Sequence, residues 1–187
     1  MKPLDISLVP TPCYVCEEAL LERNLQILDR VQQEAGVKIL CALKGFAMFS
    51  TFDLVGRYLH GVCASGLHEA KLGRETMNKE VHTYSPAYKE EEIDEIARIS
   101  NHLVFNSLTQ YERFFRRVKE INPSISLGFR VNPERSCAPV DLYNPCAPFS
   151  RFGITKANMP ARLPEGIEGL HFHALCEQNV DALEVVL

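Results

Sequence analysis

Apolar residues gather along this chain in two alternating rhythms. Short runs begin at Val37 and near positions 61, 80, 102, 125 and 167, and each hands over to a polar group: Lys44, Ser65, Ser85, Asn106, Arg130 and His173. Brief runs rich in Val, Ile and Leu, separated by helical patterns, predict parallel strands joined by crossover helices. Three segments repeat at helical spacing instead. Glu17 to Glu34 carries Leu20, Leu21, Ile27, Leu28 and Val31, and Glu90 to Ser100 carries Ile93, Ile96, Ala97 and Ile99. Leu108 to Ile121 carries Leu108, Tyr111, Phe114, Phe115, Val118 and Ile121. Each pattern puts one apolar stripe on one helical face. Ser107 and Gln110 have the spacing of a capping box, which sets the start of the third helix.

Most of the chain therefore repeats at roughly one βα unit per 19 to 25 residues, the rhythm of a (β/α)8 barrel. The expected fold class is α/β: an incomplete (β/α)8 TIM-type barrel with about six of its eight strands present. A complete barrel needs about 250 residues, so the chain is expected to be the N-terminal part of a longer protein. The expected division is a lead-in strand over 1–16 and a partial barrel over 17–187, with Asp181 to Leu187 opening another helix. One region breaks the repeat. Asn132 to Gly166 holds six of the eleven prolines and no helical stripe until its end. A long segment of this kind following a strand at the catalytic face is expected to be ordered and functional.

Composition narrows the function. With 46% hydrophobic and 24% charged residues the chain can bury a core. A formal charge of −4 gives no basic surplus, which argues against nucleic acid as the main partner. No run of ~18 apolar residues appears, so no membrane partner is expected and a cytoplasmic location is the default. The seven cysteines are odd in number and scattered, as reduced thiols are. Cys13 and Cys16 form a lone CysxxCys without the second pair that a structural zinc site needs.

Chemistry in such a fold sits at the C-terminal ends of the strands. Lys44 is placed there, and a lysine so placed is a candidate for imine chemistry. His171 and His173 alternate onto one face. That spacing also suits metal ligation, but Lys44, Ser65, Ser85, Asn106 and Arg130 supply no further ligand set, so no metal is expected. Arg130 could hold anionic oxygens through its planar donors, or pair with a carboxylate. Ser65 and Glu69 follow the second strand as either pocket-rim or helix-capping residues.

Four segments carry a specific resemblance: CysAlaLeuLysGlyPheAla at 41–47, AspLeuTyrAsnProCysAlaPro at 141–148, SerArgPheGlyIle at 150–154 and GlyLeuHisPheHisAlaLeuCysGluGln at 169–178. They resemble the carboxynorspermidine (carboxyspermidine) decarboxylase family, whose members are alanine-racemase-like, fold type III enzymes that use pyridoxal 5'-phosphate. The proline-rich loop and the HisPheHis segment set the resemblance apart from diaminopimelate and ornithine decarboxylases.

The resemblance implies that Lys44 joins the cofactor as an imine and that His173 stacks on the cofactor ring. It places Arg130 beside the cofactor and Ser65 and Cys176 near it, although a thiol at 176 is a weaker phosphate donor than a hydroxyl. Asp141, Glu177 and Asp181 are the acidic candidates for the cationic arm of a carboxylated polyamine substrate, Glu177 foremost. The resemblance further implies a homodimer when full length. It also implies that the C-terminal β domain, with its ring-nitrogen carboxylate, phosphate loops and trans cysteine, lies outside these residues, so that the chain alone is inactive. The alternatives are a non-catalytic pyridoxal-phosphate-binding barrel, another fold type III amino-acid decarboxylase, or an interaction module that fails to bind the cofactor.

Overall fold

A computed structural model describes residues 5–187. Six strands form one wholly parallel sheet in sequence order: β1 (Leu40–Ala42), β2 (Gly61–Ala64), β3 (Glu80–Tyr84), β4 (His102–Phe105), β5 (Ser126–Arg130) and β6 (Ile167–His171). Helix α1 (Glu18–Ala35) precedes β1, the helices between the strands are α2 (Phe52–Tyr58), α3 (Leu67–Leu72), α4 (Ile93–Ile99) and α5 (Leu108–Ile121), and α6 (Val180–Val186) follows β6. An unbroken neighbour-to-neighbour order with helical crossovers is how successive staves of a (β/α) barrel are laid down.

Local sequence explains most of the boundaries. Ser107 caps α5 by accepting from the Gln110 amide at 3.2 Å, and the Gln110 side chain reaches back to the Asn106 amide at 2.7 Å. The expected capping box therefore forms, displaced upstream by one residue on its return arm. The first apolar run yields a shorter strand than expected. Gln32 on α1 is 3% exposed, and its side chain accepts from the Ile39 amide and donates to the Tyr58 carbonyl. The start of the run is thus held by a helix, and pairing begins only at Leu40.

Strand alternation separates two faces. Outward from the sheet, Leu103, Phe105, Leu127 and Phe129 pack on Ile93, Ile96, Phe114 and Val118 of α4 and α5. Val62, Ala64 and Val81 pack on Leu25, Phe52, Val55 and Met77. Each fully buried large side chain here contributes about 1.5–3 kcal/mol of hydrophobic stabilisation. The β2–β3 pair also depends on one missing side chain. A Cβ at Gly61 would lie 2.0 Å from the Glu80 carbonyl oxygen, so the two backbones meet where only glycine fits.

Two expectations need correction. No strand forms among residues 5–16; Ile6–Leu8 makes a 3-10 turn capped by Asp5 instead, and prolines at 10 and 12 remove ladder donors. Residues 1–4 of the expected lead-in lie outside the described residues. The apolar stripe of α1 is also only partly used. Leu25 is buried, whereas Ile27, Leu28 and Val31 stay 37–49% exposed, because α1 meets chiefly α2 and no described element covers its other apolar side.

Candidate active site at the strand ends

The inner face of the sheet carries the polar groups. Lys44 sits two residues beyond β1 in a tight turn, closed by Gly45 and Phe46 amides that both donate to the Ala42 carbonyl. Arg130 ends β5 opposite His171 at the end of β6. Lys44, Ser65, Arg130, His171, His173 and Cys176 all line one cavity of about 490 Å³, a volume in the range of small-molecule sites. Tyr84, Phe152 and residues 142–145 complete much of its wall. The cavity wall includes no aspartate or glutamate.

Arg130 is the best-fixed of these groups. It is 5% exposed, donates to the Tyr84 hydroxyl at 2.6 Å and to the His173 carbonyl at 3.4 Å, and lies 4.7 Å from the Tyr84 ring centre and 4.6 Å from that of Phe152. No carboxylate is bonded to it, so the pairing alternative gives way to two aromatic faces. Cation and neutral histidine then coexist. Burial first, and Arg130 and His173 second, push the His171 pKa down to about 4. Its Nδ1 is buried and meets no hydrogen-bond partner among the described residues. The same causes act on His173, whose pKa is lowered by burial and by Lys44 and Arg130. Burial raises the Cys63 thiol pKa, and Lys44 pulls it the other way.

These shifts have a consequence for acid stability. Between its ordinary value of 6.5 and about 4, His171 takes a proton in the unfolded chain but not in the folded one. The unfolded state then binds more protons, so stability falls as pH drops through this window and levels off below it. Allowing for water in the cavity, we expect a loss of up to about 2 kcal/mol. Urea midpoints at pH 7 and pH 4.5 check this: H171Q should show a flatter pH dependence than the parent chain. Glu80, held down to about 2 by Lys38 and His82, adds its own loss as pH falls from its ordinary value of 4.5 toward that value.

The proline-rich loop packs against the strand ends and supplies part of the cavity wall. Val131 pairs with Ile154 in a parallel bridge, and the Ile154 amide donates to the Arg130 carbonyl at 2.8 Å. Gly153 makes the return possible. It adopts φ +80°, and a Cβ there would lie 2.8 Å from the Val131 carbonyl carbon. Asp141–Tyr143 forms a 3-10 turn whose Leu142 and Tyr143 reach the cavity.

Other expected residues fall elsewhere. Asp141 and Glu177 are exposed and outside the cavity wall, as is Asp181. Glu69 accepts from the Ser65 amide at 2.6 Å, which is a cap on α3. Ser85 bonds the Ala87 carbonyl and does not line the cavity; its neighbour Tyr84 does. The alternation from His82 to Tyr84 on β3 carried that signal, but the change to polar character at Ser85 drew attention one residue too far. Phe152 had no signal of its own, since only the fold of the loop brings it to Arg130.

At the opposite end of the inner face, ligand atoms of Glu80, His82 and His102 lie within 4.8 Å of one another. Their bonding is already assigned. Glu80 pairs with Lys38 and, at 3.1 Å, with His82. The two imidazoles stack at 3.9 Å with 18° between planes, so their in-plane lone pairs cannot converge on one ion as they stand. The seven cysteines are all free thiols, and no helix among the described residues is long and apolar enough to cross a membrane.

No protein-family model matches the chain. It is 50% identical over 179 residues to the carboxynorspermidine/carboxyspermidine decarboxylase of Campylobacter jejuni, covering 96% of this chain and 46% of the relative. Identity is 43% over 182 residues to the carboxyaminopropylagmatine decarboxylase of a Synechocystis species, covering 97% and 46%. It is 38% over 172 residues to the carboxynorspermidine/carboxyspermidine decarboxylase of Herminiimonas arsenicoxydans, covering 92% and 46%. The chain spans just under half the length of these curated relatives. Among solved structures, the carboxynorspermidine decarboxylase of C. jejuni complexed with norspermidine superposes with a TM-score of 0.84 at 46% identity, over 95% of this chain and 45% of that one. The diaminopimelate decarboxylase of Helicobacter pylori, complexed with L-lysine, matches with a TM-score of 0.72 over 97% of this chain and 49% of that one. At 15% identity it supports the fold alone. The sequence resemblance to carboxynorspermidine decarboxylases thus holds over nearly all of this chain.

Proposed function

We propose that the protein is a pyridoxal 5'-phosphate-dependent carboxy-lyase that removes carbon dioxide from a carboxylated polyamine, carboxynorspermidine or carboxyspermidine, in polyamine biosynthesis. One observation carries the reading: Lys44, just beyond the first strand, and His173, beyond the last, line the same cavity, each within a segment that resembles the decarboxylases. The donor set fits the cofactor. An amine, a fixed guanidinium and two histidines surround a space without carboxylates, as an anionic aldehyde requires. The unpartnered Nδ1 of His171 leaves one buried polar atom for a bound group to satisfy.

When bound, the cofactor supplies an electron sink for the carbon that loses its carboxylate. The chain's own residues do the rest. Lys44 Nζ would be the amine that holds the cofactor through its aldehyde carbon. His173, on the same wall, would lie against the cofactor ring and set its orientation. Arg130 fixes anionic oxygens from the wall, while Ser65 and Cys176 bound the same space. Leu142, Tyr143 and Pro145 contribute loop surface to the same wall. Asp141 and Glu177 act, if at all, on a polyamine arm projecting beyond the cavity.

The whole protein works as a homodimer in the cytoplasm on this reading. The test is borohydride reduction of the chain with pyridoxal 5'-phosphate, peptide mapping, and carbon dioxide release from carboxynorspermidine by the full gene product. Label at Lys44 together with turnover supports the proposal. Label on another lysine, or no turnover by a correctly labelled protein, overturns it.

A further inference from the structure

Arg130 is a buried cation without a carboxylate partner, and something other than charge pairing must hold it in place. The Tyr84 hydroxyl sits at the junction. It accepts from Arg130 at 2.6 Å and donates to Asn106 Oδ1 at 2.8 Å. The same Asn106 oxygen accepts from the Gly153 amide at 2.9 Å, and its Nδ2 donates to the Arg151 carbonyl at 2.8 Å. Asn106 is 9% exposed, and its side-chain oxygen is shared between the hydroxyl and the loop backbone. The segment so anchored includes Phe152, whose ring covers the guanidinium from the other side.

We infer that Tyr84 is a positioning residue of this site: its hydroxyl and ring hold the Arg130 guanidinium, and through Asn106 they tie that cation to the returning arm of the proline-rich loop. The inference rests on the proposed function only for what Arg130 then does. The linkage itself is a property of the folded chain. Three strands and one loop meet in it, since Tyr84 ends β3, Asn106 follows β4, Arg130 ends β5 and Gly153 belongs to the loop. A shift in the loop is therefore felt at the cation without either touching a ligand. Charged donors in a partly desolvated setting make the strong hydrogen bonds of such a chain.

The experiment is NMR on isotopically labelled 187-residue chain, reading the solvent exchange of the Arg130 side-chain N–H groups and of the Gly153 amide. In Y84F the ring stays and only the hydroxyl goes. We expect Arg130 side-chain exchange to accelerate by about tenfold, with Gly153 following and the amides of β4 and β5 unchanged. N106A should release Gly153 more than Arg130. If Y84F leaves Arg130 exchange within about twofold of the parent, or accelerates strand amides equally, the inference fails. Neither reading requires cofactor, so this result stands apart from the borohydride label at Lys44. Where the label is correct but Y84F changes nothing, the positioning role alone falls.

Discussion

Lys44→Ala will abolish the borohydride-stable pyridoxal label and lower decarboxylation by the full gene product at least about a thousandfold. The physical reason is that the amine is not interchangeable with any other group in the cavity. Among the described residues Lys44 is the only lysine on the cavity wall, and Arg130 there cannot act as a nucleophile because its guanidinium never deprotonates. Replacement by arginine should be equally damaging, which distinguishes a nucleophile from a mere positive charge. Exposed Lys156, outside the cavity, provides the control. Its alanine variant should label and turn over as the parent does. Peptide mapping and single-turnover release of carbon dioxide check both. A Lys44→Ala protein that keeps even a tenth of parental turnover would show that the amine has no central part.

Gly61→Ala should be the most damaging single methyl that can be added to the sheet, costing about 3 kcal/mol or more. The new Cβ would meet the Glu80 carbonyl oxygen at 2.0 Å, its carbonyl carbon at 2.8 Å and its amide at 2.9 Å. All three are backbone atoms, so no side chain can swing aside. Either β2 and β3 part at Gly61–Glu80, or Glu80 moves and loses its bonds to Lys38 and His82. The urea midpoint of G61A against the parent chain measures the loss. Gly169→Ala is the matched control, because nothing lies within 4 Å of a Cβ there, and its midpoint should stay within about 0.5 kcal/mol of the parent.

The sequence made the layers of this fold readable because strand and helix periods differ so clearly. All six apolar runs became strands of one sheet, and the Leu108–Ile121 helix was found to the residue because Ser107 and Gln110 mark its start. What stayed hidden depended on tertiary partners. The first strand begins late because a buried glutamine from α1 captures the Ile39 amide, and no local pattern announces such a capture. At the candidate site, Lys44, Ser65, Arg130, His173 and Cys176 do share one cavity. Strand ends foretold the first four, and the family motif brought in Cys176. The acidic candidates were chosen by proximity in sequence to His173 or by lying in the loop, and neither criterion says which way a side chain faces. Tyr84 was passed over because an aromatic residue within a strand reads as core, and Phe152, although inside the SerArgPheGlyIle segment, is brought to Arg130 only by the fold of the loop.

A wall carrying Lys44 and Arg130 and no carboxylate has a directional effect on whatever approaches it. A carboxylated polyamine is a rod with an acid group at one end and ammonium groups along the rest. In the cofactor-free chain, the positive groups on this wall would favour the acid end of such a rod over its ammonium groups, so the molecule would approach carboxylate first. Polarity of entry, on this view, is settled before any contact forms, and added salt would weaken that preference by shortening the range over which the field is felt.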